Sequence, residues 1–133
     1  MVFLDSNVPM YLIGAPHPNQ LTASGILQSL ISRNRRLVCD AEVFQEILHR
    51  YTMIGRREAI QPAFSLLEGF CDEVFPVSLE DVQEAKNLVN AYPQLSSRDA
   101  IHAAIMAKNA ITEIVSFDKG FDTLPGITRI AAL

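Results

Sequence analysis

The stretch MVFLDSNVPMYLIG, residues 1–14, sets a run of apolar residues against an abrupt polar stop. Residues 1–4 read as a short strand. Asp5, Ser6 and Asn7 end it, and Pro9 stands where a helix begins. The same unit recurs along the chain: short apolar runs at 37–39, 74–77, 114–117 and 127–130 alternate with longer helical patterns. Leu21, Ile26, Leu27, Leu30 and Ile31 predict a helix over 19–34. Val43, Phe44, Ile47, Leu48 and Tyr51 predict one over 40–54, broken by Gly55. A third covers 56–71, where Pro62 predicts either a kink or the true start. Residues 79–92 form another, stopped before Pro93, and 96–109 an alanine-rich last one. Strands alternating with helices predict a single α/β domain over 1–133, a three-layer sandwich around a mostly parallel sheet.

With 133 residues, 49% of them apolar, the chain can bury a real core without staples. No long uncharged apolar run spans a bilayer. The start shows neither the basic region nor the cleavable stretch of a signal peptide. Cys39 and Cys71 have no metal-type spacing and read as buried free thiols. A cytoplasmic protein away from membranes is expected. The net charge of −4 argues against coating nucleic acid by charge alone, although an enzyme can still hold it locally. Arg33, Arg35 and Arg36, and the pair Arg56 and Arg57, read as solvated helix ends.

Asp5 ends the first strand and Asp118 the fourth, so both fall at the carboxyl edge, where open parallel sheets bind ligands. Glu46 lies on the apolar helix after the second strand. Asp99 sits in the first turn of the alanine-rich helix, and Asp122 trails Asp118 by four residues. Each acid has an ordinary structural explanation: Asp5 as a helix starter, Asp99 in a Ser-x-x-Asp box with Ser96, Glu46 paired with Arg50, Asp118 as a turn cap. Together they imply convergence. Converging carboxylates raise one another's pKa, and a divalent cation relieves the repulsion. Oxygen donors select Mg²⁺ or Mn²⁺. Such a centre suits phosphoryl chemistry, by lowering the pKa of a bound water and neutralising the leaving oxygen.

The ordered set FLDSNV, EILHRY, RDAIHAA and IVSFDKGFD resembles the PIN-domain family, specifically VapC-type toxins of toxin–antitoxin pairs. The likeness covers nearly the whole chain. It implies a five-strand parallel sheet in the order 3-2-1-4-5, with Asp5 and Asp118 flanking the switch point. It further implies a Mg²⁺-dependent ribonuclease acting on RNA through Asp5, Glu46, Asp99 and Asp118, a protein antitoxin, and a homodimer. Asn7 and Ser116 fit the family pattern. A stand-alone processing nuclease of the same family is the alternative.

Arg98 and Lys119 neighbour two of the acids and either hold phosphate or face solvent. His49 and His102 read as helix-surface or packing residues. A signalling receiver domain would want paired acids near the first strand, and a haloacid-type phosphatase Asp-x-Asp, whereas position 7 is Asn. A non-catalytic interaction module would not need the full acidic set. Phe44, Leu48, Tyr51, Met53, Ile54, Phe64, Leu67 and Phe70 exceed what a helical hairpin can hide beside a sheet. They mark either a partner groove or buried packing against the sheet or a second copy.

Overall fold

The computed structural model describes residues 1–132; Leu133, the last residue of the expected domain, lies outside them. Strands β1 (Val2–Leu4), β2 (Leu37–Asp40), β3 (Glu73–Phe75), β4 (Glu113–Val115) and β5 (Thr128–Ile130) form one sheet in the order 3-2-1-4-5. Every pairing is parallel. Helices α1 (Asn7–Ile13), α2 (Pro18–Ser32), α3 (Ala41–Met53), α4 (Ile60–Phe70), α5 (Leu79–Ala91) and α6 (Ser97–Lys108) connect the strands. The central strand β1 has Val2, Phe3 and Leu4 all at 0% exposure. A strand covered on both faces carries a continuous apolar run, which is why residues 1–4 do not alternate.

The local chemistry explains the helix ends. Asp40 caps α3 through the Val43 N–H at 3.0 Å, and Ser78 and Asp81 form a reciprocal capping box on α5. Gly55, at φ +71°, follows α3 in a left-handed turn that suits glycine. Pro62 is the third residue of α4, after a 3₁₀ turn over Arg57–Ala59. It therefore marks the helix start, where a missing N–H breaks no intrahelical bond.

The arginines predicted as solvated ends are partly engaged in pairs. Arg35 meets Glu113, and Arg36 meets Glu73 at 2.8 Å. Cys39 is buried and free as expected, whereas Cys71 is half-buried. The apolar surplus around α3 and α4 divides. Tyr51 and Leu67 enter the core. Phe44 and Phe64 are half-buried and meet edge-on with centroids 5.0 Å apart. Leu48, Met53 and Ile54 remain 46%, 70% and 48% exposed. No helix among the described residues is long and apolar enough to cross a membrane.

Candidate active site

Register sets the first half of the site. Leu4 lies opposite Val115, so Asp5 and Ser116 leave the sheet side by side, the Asp5 N–H donating to the Val115 carbonyl at 3.1 Å. Ser116 Oγ donates to Asp5 Oδ2 at 2.6 Å and accepts the Asp118 N–H at 3.0 Å. The Ser6 N–H holds Asp5 Oδ1 at 2.7 Å. Asn7 Nδ2 lies 3.4 Å from both Asp5 Oδ2 and Ser116 Oγ. One buried serine thus fixes the carboxylate of β1 and the backbone of the segment carrying Asp118.

Helices supply the second half. The Ser96 hydroxyl accepts the Asp99 N–H at 3.1 Å, which is half of a capping box; no bond from the Asp99 carboxylate closes it, and that group turns to the site. Glu46, on the inward face of α3, ignores Arg50. Its Oε2 accepts from Ser6 Oγ at 3.1 Å and its Oε1 meets His102 Nε2. Asp118 is exposed and caps its own turn by accepting the Gly120 N–H at 2.8 Å. Gly120 is a close approach: a Cβ there would stand 3.1 Å from Asp118 Oδ1 and 3.6 Å from Asp99 Oδ2. A larger residue would wedge into the space beside both acids.

The electrostatics show crowding. Burial, offset in part by the His102 charge, holds the Asp5 carboxyl above its ordinary range. Burial, a hydrogen bond with Asp118 and the charges of Asp5 and Asp118 push Asp99 up to about 8. Burial opposes charge on His102, but Asp40, Glu46 and Asp5 outweigh it and keep the ring protonated well above the usual imidazole value. Asp5, Glu46, Asp99 and His102 each offer an oxygen or nitrogen within 4.8 Å of the others. Crowded acids with too little counter-charge fit a divalent cation. The ring nitrogens of His102 both face carboxylates, so oxygen atoms remain the natural donors.

Of the residues singled out from the sequence, Asp5, Glu46 and Asp99 converge. Asp118 joins them at the rim, and Asn7 and Ser116 brace Asp5. Asp122 is drawn aside into a two-pronged pair with Arg129, at 2.9 and 3.0 Å. Arg98 and Lys119 are exposed at the margin, and His49 faces solvent. Sequence reasoning missed Asp40, His102 and Ser6. Asp40 ends β2 as Asp5 ends β1, and His102 stands three residues after Asp99, on the same helical face.

Fold and site together define a class: a parallel α/β domain with a carboxylate cluster at the topological switch point of its sheet. The PIN domain family model matches residues 2–127. The VapC ribonuclease Mb1869c of Mycobacterium bovis is 54% identical over 131 residues, covering 98% of this chain and all of that protein. The chain belongs to the PIN-domain family, in its VapC branch. The crystal structure of Mycobacterium tuberculosis VapC20, a sarcin–ricin loop cleaving toxin, superposes with a TM-score of 0.80 at 19% identity, covering 98% of this chain and 99% of that one. A toxin–antitoxin complex from Klebsiella pneumoniae gives 0.68 at 17% identity, over 96% of each chain. At those identities the two share the fold.

Proposed function

We propose that this chain is a metal-dependent endoribonuclease that cleaves single-stranded RNA and acts as the toxin of a toxin–antitoxin pair. The observation that carries this reading is the convergence of buried Asp5 and Asp99 with half-buried Glu46, in a chain 54% identical to a VapC ribonuclease. Asp5, Asp99 and Glu46, with Asp118 at the rim, would hold Mg²⁺ or Mn²⁺. When bound, the cation supplies the positive charge that activates water and offsets charge on the phosphodiester. Ser116 and Ser6 keep the carboxylates aimed before substrate arrives. Arg98 and Lys119 are placed to meet the flanking phosphates.

A mixed RNA pool incubated with and without Mg²⁺, beside the Asp99→Asn variant, tests the reading, with product ends mapped. Internal cuts that need both the metal and Asp99 support it. Cutting that survives chelation or the substitution refutes it. The toxin role rather than a stand-alone nuclease is favoured by exposed Leu48, Met53 and Ile54 on and just beyond α3. They suit an apolar segment of an antitoxin. The same surface in a homodimer is the competing use, and co-expression with a candidate antitoxin separates the two.

A further inference from the structure

We infer that Asp40 and His102 are positioning residues that hold the Glu46 carboxylate in its working orientation from inside the domain. The inference deepens the nuclease reading and rests on it. His102 and Asp40 are both 0% exposed. His102 Nδ1 lies 2.8 Å from Asp40 Oδ2, and Nε2 faces Glu46 Oε1. Asp40 is itself anchored, because its other oxygen caps α3. The ring also lies against Phe3, centroid to centroid at 5.3 Å. Ser6 takes the second oxygen of Glu46. A glutamate side chain normally gives up considerable rotamer freedom when it engages a ligand. Here both oxygens are tied beforehand, so the ordering is complete in advance.

Two further facts favour orientation over packing alone. A buried histidine–aspartate pair is costly to desolvate, and an apolar side chain would fill the same space with less loss. In addition, both ring nitrogens are occupied by carboxylates, which leaves the ring no donor atom directed at a cation. His102 therefore acts through Glu46, much as an outer carboxylate orients a metal-binding side chain.

Two near-isosteric substitutions divide the roles of the ring. His102→Gln places an amide nitrogen where Nε2 meets Glu46, and His102→Asn places one where Nδ1 meets Asp40. Each is compared with wild type and with Glu46→Gln, by single-turnover RNA cleavage and by Mn²⁺ calorimetry. His102→Asn should fall to the Glu46→Gln level, about 10–100-fold down in metal affinity or rate. His102→Gln keeps the contact with Glu46 and gives up the one with Asp40, so it should lose less metal affinity and rate than His102→Asn, with the melting temperatures of both variants lowered by a similar amount. Adding Glu46→Gln to His102→Asn should cost nothing more.

Equal losses in both variants that track melting temperature, or effects that multiply with Glu46→Gln, overturn the inference. So does nitrogen coupling in pulsed EPR of Mn²⁺ bound to the wild type, which would make His102 a ligand. If neither variant folds, Asp40→Asn serves, since asparagine keeps the cap on α3. A weakened metal affinity with an unchanged melting temperature then supports the inference, and unchanged affinity overturns it. A wild type that neither binds Mn²⁺ nor cuts RNA refutes the nuclease reading and this inference with it. A wild type that does both, with His102→Asn indistinguishable from it, refutes the inference alone.

Discussion

Replacing Asp99 by asparagine should make the metal-free chain more stable at alkaline pH while abolishing RNA cleavage. Asp99 is 5% exposed, and burial, with Asp118 and Asp5 beside it, pushes its carboxyl from 3.8 up to about 8. The folded state therefore binds this proton more tightly than the unfolded state does. Between those two values stability falls as pH rises, and above the upper one the full penalty of the charged carboxylate remains. At about 1.36 kcal/mol per pH unit the ceiling is roughly 6 kcal/mol. Relaxation and water at the open rim reduce the expected gain from Asp99→Asn to roughly 2–3 kcal/mol. In a chain of this length that is a melting rise of about 6–12 °C. Thermal and urea unfolding in chelator, at about pH 5 and pH 8.5, measure it: the two proteins should diverge as pH rises, in favour of the variant. An Asp99→Asn chain that is less stable than wild type at the higher pH, or that still cuts RNA, refutes the reasoning.

Mg²⁺ or Mn²⁺ at about ten times Kd should stabilise the wild type by roughly 1.4 kcal/mol and leave the Asp5→Asn/Asp99→Asn double variant unmoved; an equal rise in both would be a salt effect. Ser116→Ala removes the 2.6 Å donor to Asp5, so cleavage should drop about 10–100-fold, with Ser116→Thr restoring part of it. Full activity in the alanine variant would show that Asp5 needs no brace. Met53→Glu with Ile54→Glu should keep stability within about 0.5 kcal/mol and RNA cleavage intact while abolishing antitoxin binding in a pull-down. Unchanged binding would place the partner elsewhere. Tyr51, at 7% exposure, is unsuited to that test because a charge there would disturb the core.

The succession of strands and helices along the chain was legible because each short apolar run is bounded by turn or capping residues, whereas the order 3-2-1-4-5 within the sheet was implied by the family resemblance. Asp5 and Asp118 stood out by their places after strands, Asp99 by its place in a first helical turn, and Glu46 by its setting in an apolar helix. The histidine did not. His102 sits among alanines on a helix whose burial depends on how closely α6 approaches α3 and the sheet, and periodicity does not report that distance. Asp40 was overlooked because its capping duty is sufficient explanation on its own; only the structure shows that its second oxygen serves His102. Asp122 misled for the opposite reason. Its spacing from Asp118 suggested a shared site, but Arg129 on β5 offers a nearer cation. For the apolar surplus on α3 and α4, half-buried phenylalanines and exposed Met53 read alike in sequence. Burial depends on which face the neighbouring helix covers.

The sheet order has a consequence for how the chain is made. β1 lies in the middle of the sheet, between β2 and β4, yet β4 is synthesised only after all six helices. A growing chain that has reached α5 can pair β1 on one side only. Its other edge, lined by Val2, Phe3 and Leu4, stays open and prone to association. A chain interrupted before Ser116 carries Asp5, Glu46 and Asp99 but neither the Ser116 brace on Asp5 nor Asp118. Interrupted synthesis would therefore yield fragments with one edge of β1 unpaired and an unbraced Asp5.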